Sequence, residues 1–462
     1  MQILEIKVLK GPNYWSVRRA KLIQMKLDLE ELEQRPTNTI PGFRERLEKL
    51  IPTLFEHRCS IGKAGGFFER VEEGTWMGHV IEHIALEIQT LAGMDTGFGR
   101  TRTPDGEKEG IYYVVFSYME EDAGLYAAKA AVAIAEALIA GTDYDLANDI
   151  QQMREIREDT RLGPSTGCIV EEAAKRGIPY IRLNKQSLVQ LGYGVNQKRI
   201  RATIASTTSN IAVDIACNKE ETKMLLEAAE IPVPRGTVIR TEEGLDAAIE
   251  KVGYPLVIKP IDGNHGKGNT TNIVNRETAL KAFEAAKAFS RSVIVERFIT
   301  GYDFRCLVIN NKFICAALRT PASVVGDGKN TIQWLIDETN KDPRRGFGHE
   351  KVLTQITLDQ FSQKMLDDTD ITLETIPSKG ERVLLKPTAN LSTGGTSNDV
   401  TDEVHPANIF MFERIAKIIG LDICGIDVMA IDLRTPVAEN GGAILEVNAA
   451  PGFRMHIEPA EG

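Results

Sequence analysis

Apolar and polar positions follow different rhythms along the chain. Gln2–Leu9 alternates them as a half-buried strand does, and Tyr112–Tyr118 reads as a second strand. Thr75–Leu91 and Gly124–Ile139 repeat apolar residues at helical spacing, which predicts two long amphipathic helices. A charged helix is expected over Tyr144–Arg161, and the Gly163-Pro164-Ser165 break after it marks a domain boundary. Apolar strands then alternate with helices to about Asn210, as in a small α/β unit. From Asn218 a helix leads through Val233-Pro-Arg-Gly236 into a strand, and on to Tyr254-Pro-Leu-Val-Ile-Lys-Pro260. Residues 323–382 are polar and less periodic, an insertion with one or two helices, and Gly425–Ile431 and Gly442–Val447 are the last strands. The pattern predicts a multidomain chain of α/β and α+β character, with domains at 1–162 and 163–462.

Composition narrows the class without changing it. The 462 residues leave room for two to four domains, and 42% apolar with 26% charged residues is ordinary for a soluble protein. A net charge of −10 argues against nucleic acid or an anionic membrane as partner. No stretch reaches the roughly eighteen apolar residues of a membrane span, and the N-terminus shows no signal-peptide pattern. Cys59, Cys168, Cys217, Cys306, Cys315 and Cys424 are scattered singly, which fits reduced thiols and a cytoplasmic location.

Four segments in order carry candidate chemistry. Lys259 ends an apolar strand, where its ammonium can meet phosphate oxygens. Directly after it, Asp262–Gly268 supplies Gly263, Gly266 and Gly268 to curl the backbone round an anion, with His265 and Lys267 as added donors. The strand Ser292–Phe298, with Glu296, Phe298 and then Asp303, offers backbone groups to a base and acceptors to ribose hydroxyls. Lys219 joins this nucleotide set. Lastly, Glu446 and Asn448 share one face of a strand, and a neighbouring strand carrying Asp427 would complete three oxygen ligands for magnesium.

In this order the segments resemble the ATP-grasp superfamily, which implies an ATP-grasp fold with an inserted lid at about 323–382. Such enzymes convert a carboxylate to an acyl phosphate that an amine then attacks, using ATP and Mg2+. Leu191-Gly-Tyr-Gly194, Ala389-Asn-Leu-Ser-Thr-Gly-Gly395, Asn448-Ala-Ala-Pro-Gly-Phe-Arg-Met-His456 and Lys10-Gly-Pro-Asn-Tyr-Trp-Ser16 are similar to the cyanophycin synthetase family, over essentially the whole chain. That resemblance implies addition of L-aspartate to the C-terminus of a cyanophycin polymer or primer. By position, Asp214, Arg305 and Ser392 would hold the polymer end. A terminal carboxylate suits Arg305, the expected catalytic arginine, or Arg454. A homo-oligomer is expected. Family chains continue into a Mur-ligase-like domain that adds arginine. This chain ends before one, and no Walker-type GxxxxGK[ST] loop occurs, so a fragment and a shortened member are both open. Two rival readings are an ATP-grasp ligase of the glutathione-synthesising type, whose lid has stretches like Val324-Val-Gly-Asp-Gly328, and a non-catalytic polymer-binding protein. The intact Lys259, Lys267, Asp427, Glu446 and Asn448 argue against the second.

A separate motif lies in the N-terminal block. His79 and His83 share a helix face with Glu82 beside them, the H-x-x-E-H order of inverted zinc peptidases: two imidazole ligands and a glutamate base for water. Gly65-Gly66 and Gly97-Phe-Gly-Arg100 could shape a cleft round the helix. Glu120 or Glu121 is the expected third ligand, with Glu121 preferred. Glu87 lies about 12 Å along the axis from His79, too far for one ion. His57 is a spare ligand. The family resemblance implies primer-generating cleavage at this motif in some members.

Overall fold

The computed structural model describes residues 1–462 apart from 18–20, 262–267, 348–350, 368 and 462, and apart from the side chain of Phe361. The chain divides into two compact units, Met1–Arg161 and Leu162–Gly462.

The first unit is built on an antiparallel sheet in the order Gln2–Lys10, Lys21–Asp28, Ile111–Ser117, Gly99–Arg102. Alternation sorts the central strands. Ile23, Met25, Leu27, Val114 and Phe116 point into the main core, while Leu22 and Val115 cover Trp15 on the other face. Helix Met77–Leu91 lies in the main core and packs against helix Glu121–Ala140. The latter is long and apolar enough, by length and composition, to cross a membrane. Here Ala123, Ala127, Ala131, Ile134 and Ala135 are buried in the unit's core, and small alanines permit close helix approach.

The predicted Thr75 start moves to Met77 because the backbone at the N-cap Trp76 is extended and the Thr75 carbonyl accepts from Thr37 N–H (2.9 Å) instead of from a helix N–H. The second helix begins earlier than predicted, at Glu121, where two acidic residues suit the positive end of the helix dipole. The short strand Gly99–Arg102 was not apparent from a pattern so brief and charged.

The second unit opens with helix Pro164–Lys175 and a four-stranded antiparallel meander between Tyr180 and Ala205. A four-stranded sheet follows in the order Thr270–Ile273, Leu256–Pro260, Val293–Arg297, Gly236–Ile239, with helices Glu243–Val252 and Arg276–Lys287 sharing its core. A five-stranded antiparallel sheet runs Thr396–Asp399, Lys312–Thr320, Tyr302–Ile309, Ile423–Ala430, Ala443–Asn448. Helices Asn210–Cys217, Lys219–Ala228 and Pro406–Ile419 close its apolar face, where Phe304, Cys306, Val308, Ile426 and Val428 meet Phe412 and Ile415. Asn218 separates the first two of these helices, and its side chain accepts from the Glu220 and Glu221 N–H groups as an N-cap. Residues 323–382 carry helices Ile332–Asn340 and Gln360–Asp367, and Val324, Ile332, Ile336, Leu366 and Val383 form a separate core there.

One buried amide fixes the loop joining the last two strands of the five-stranded sheet. Asn408 Nδ2 donates to the carbonyls of Leu433 (3.0 Å) and Thr435 (2.8 Å), and its Oδ1 accepts from Val437 N–H (2.9 Å). Asn408→Ala strands these loop groups in a dry site, so the second unit should lose about 2–4 kcal/mol in denaturant unfolding. An unchanged midpoint would show that the loop is held by other means.

Candidate functional site

The polar face of the five-stranded sheet gathers its charges into a row. Strand register places Arg305 opposite Asp427, and Asp427 opposite Glu446. Alternation brings Asp303 and Arg305 to one face while Phe304 and Cys306 go to the core. Arg305 and Asp427 are both buried at 9% exposure and pair through two contacts, Nε to Oδ1 and Nη2 to Oδ2 (3.2 Å). Arg319, from the strand on the other side, donates to Asp303 at 2.5 and 3.1 Å and stands 3.4 Å from Asp427. Burial pushes the Asp303 carboxyl above its ordinary value, against the pull of Arg319. Asn448 lies opposite Gly425, two residues beyond Glu446, and its buried Nδ2 has no hydrogen-bond partner among the described residues. Asp427, Glu446 and Asn448 thus sit on two adjacent strands as oxygen donors, a set that fits magnesium.

Of the residues expected to hold the nucleotide, Lys219, Lys259 and Glu296 line a cavity of about 290 Å³ together with Lys223 and Glu446, whereas Gly268, Phe298 and Asp303 are not in its lining. Glu296 is buried and pairs with Lys259, and Lys223 approaches its other oxygen at 3.5 Å. Burial holds the Lys223 ammonium below its ordinary value, against the attraction of Glu296. Phe298 is half-buried just beyond this strand, its N–H donating to the Pro255 carbonyl (2.9 Å). Gly263, His265, Gly266 and Lys267 lie outside the described residues. Gly268, just after them, takes a left-handed φ of 71°.

The expected polymer-binding residues are more dispersed. Asp214 is exposed on its helix and accepts from Asn210 Nδ2 (3.1 Å), and exposed Ser392 bonds Asn390 Oδ1 (2.9 Å). The Arg454 guanidinium contacts the backbone carbonyls of Lys351 and Val352, the latter at 2.7 Å, which ties it to the inserted segment. His456 follows, with both ring nitrogens buried and no hydrogen-bond partner among the described residues. Burial, then the repulsion of Arg305, lowers its pKa to about 4. Arg319, Lys223 and His456 were missed from sequence. A lone arginine directly after the apolar run Phe313–Leu318 is the one signal that could have marked Arg319.

In the first unit, His79 and His83 do meet, and Cys59 joins them. One ligand atom from each lies within 4.8 Å of the others, with Cys59 Sγ 3.2 Å from His79 Nε2. Glu121, the preferred third ligand, instead forms an ion pair with Lys10, so a protein ligand set built from this structure uses Cys59 in its place. A thiol and two imidazoles suit zinc. Cys59 has a left-handed φ of 51°, uncommon for a residue with a Cβ. Thr75 Oγ1 stands 3.0 Å from His79 Nδ1, leaving Nε2 toward the thiol. Burial lowers the His79 pKa to about 4 and raises that of Glu82 to about 7. Glu82 accepts from Thr101 Oγ1 (2.6 Å) and lies against Gly99, where no Cβ would fit. Glu87, set aside as a ligand, and His57, the spare one, stand in a hydrogen-bonded chain behind His83.

A model of the ATP-grasp domain matches residues 224–311, and one of the cyanophycin synthase-like N-terminal domain matches residues 24–140. The crystal structure of a bifunctional glutathione synthetase from Pasteurella multocida aligns with a TM-score of 0.53 at 28% identity, over 74% of this chain and 50% of that one. The second unit is therefore an ATP-grasp ligase domain. The cyanophycin synthetases of Trichormus variabilis and a Nostoc species are 53% and 52% identical over 466 residues, covering 100% of this chain and 52% of each of theirs. The chain is similar over its full length to these cyanophycin synthetases and spans about half the length of each.

The site strand is packed tightly on its polar face. A Cβ on Gly425 would stand 2.6 Å from Pro451 Cβ and 3.3 Å from Arg305 Nη1. Gly425→Ala should cost about 1–3 kcal/mol in thermal or denaturant unfolding, because the Pro451 turn must move. A crystal structure of the variant with Pro451 and Arg305 undisplaced would contradict this packing.

Proposed function

We propose that the second unit uses ATP to join L-aspartate to the C-terminal carboxylate of a cyanophycin polymer or primer. The observation that carries this reading is the Arg305–Asp427–Glu446 row beside the Lys259–Glu296 cavity. A carboxylate oxygen of the polymer attacks the γ-phosphorus as the bond to ADP breaks. The aspartate amine then attacks the acyl carbon, losing a proton, and inorganic phosphate leaves. Magnesium, where Asp427, Glu446 and Asn448 would hold it, supplies neutralisation of the triphosphate. Arg305 and Arg319 meet negative charge on the transferred group, a task for fixed cations rather than a covalent nucleophile. Lys219 and Lys259 hold the nucleotide, Glu296 orients Lys259, and Asp214 and Ser392 bind the polymer end. Six cysteines without a disulfide among the described residues suit the cytoplasm.

A second reading concerns the first unit and rests on the Cys59–His79–His83 group. These three side chains would hold zinc, which would supply Lewis-acid activation for cleaving the polymer backbone into primers. Glu82, whose pKa burial raises to about 7, is suited to take the proton from the attacking water.

With ATP, magnesium, aspartate and primer, Glu446→Gln and Asp427→Asn should each lower ADP release about a hundred-fold or more. Near-normal turnover in either variant would sink the ligase assignment. Arg305→Ala should raise KM for primer far more than KM for ATP, and a defect confined to ATP would misplace it. Glu82→Gln should abolish polymer cleavage and spare primed aspartate addition. If the unaltered protein holds no zinc and never starts synthesis without primer, the second reading fails.

A further inference from the structure

His57 stands between two buried side chains. Its Nδ1 lies 2.7 Å from His83 Nδ1, and its Nε2 lies 2.7 Å from Glu87 Oε2. Glu87 is 5% exposed and His83 7%. Phe67 stacks on His83 with centroids 4.2 Å apart, which fixes the plane of that ring. Each short contact has room for one hydrogen, so the chain Glu87–His57–His83 has a direction.

Donor chemistry sets that direction. As a carboxylate Glu87 only accepts, so His57 Nε2 carries the hydrogen of the first contact. A neutral His57 ring then offers a lone pair at Nδ1, so the hydrogen of the second contact belongs to His83 Nδ1; an imidazolium His57 would instead donate there and leave the His83 hydrogen on Nε2. With His57 neutral, the lone pair of His83 is placed on Nε2. In the reverse direction, a protonated Glu87 donates, His57 Nδ1–H donates, and His83 carries its hydrogen on Nε2, where it cannot ligate a cation. His79 is oriented in the same sense by simpler means, since Thr75 faces its Nδ1 and Cys59 its Nε2.

We propose that Glu87 and His57 are positioning residues that lock His83 in the Nδ1–H tautomer, so that Nε2 is presented to a zinc ion shared with Cys59 and His79. This rests on the second reading above. It also accounts for Glu87, which is unsuited to ligate alongside His79. Eight residues along one helix put Glu87 about 12 Å from His79, but through His57 its charge reaches the ligand ring.

The test uses the full chain in two measurements. On metal-free protein, long-range 15N–1H correlation should show His83 protonated at Nδ1 and bare at Nε2, and the opposite tautomer overturns the proposal without any variant. Zinc affinity is then read by competition with a chromophoric chelator for Glu87→Leu and His57→Phe. Each should bind zinc about 10–100-fold more weakly than the parent, with unchanged circular dichroism. Unchanged affinity in both variants overturns the relay while leaving the zinc site standing. A large loss in His57→Phe that Glu87→Leu does not share makes His57 a direct ligand and also overturns it. If the parent binds no zinc, the metal reading itself has failed.

Discussion

The pairing of Arg305 with Asp427 is the constraint round which the second unit is arranged. Both groups are almost out of contact with water, and an isolated charge at that depth is costly unless it is paired and hydrogen-bonded. One partner is insufficient for Asp427, and Arg319 comes to it from the next strand but one, already committed to Asp303. Three strands must therefore hold their register at once. A slip of one residue would send Arg305 into the apolar layer of Cys306 and Phe412. The same register sets Glu446 across from Asp427, so the structural constraint and the candidate chemistry are one arrangement.

The first unit solves a related problem with imidazole and hydroxyl partners. Its central helix is buried over most of its length, yet it carries His83, Glu82 and Glu87 inside. Each has a named partner: His57 for His83, Thr101 for Glu82, and His57 for Glu87. Two left-handed backbone positions, Cys59 and Gly62, bracket the turn that brings the thiol to the helix. Polar groups buried this deeply would be expensive as mere filler for a core of leucine, isoleucine and alanine.

Local pattern carried the helices and the site strands because period and burial are short-range properties. Glu446 and Asn448 could be placed on one face by alternation alone, and Asp427 could be expected beside them. The choice of Glu121 shows where such reasoning stops. A strand end and a helix start suggested a carboxylate, but nothing local reveals that residues 59–61 fold back onto His79 or that Lys10 captures Glu121. Lys223 was hidden for the same reason. Its helix looks amphipathic and solvated until Glu296 is brought to it by another strand.

Arg454 joins two parts of the second unit that have separate hydrophobic cores. It begins the short helix that follows the Pro451 turn after the strand carrying Glu446 and Asn448, and its guanidinium grips the main chain at Lys351 and Val352 in the inserted segment. The insertion is thus moored at a point beyond its two covalent junctions. Any swing of it about those junctions must break this mooring or drag the Pro451 turn, and with it the backbone against which Gly425 rests. A load on the inserted segment is therefore carried to the strand pair that bears Asp427 and Glu446.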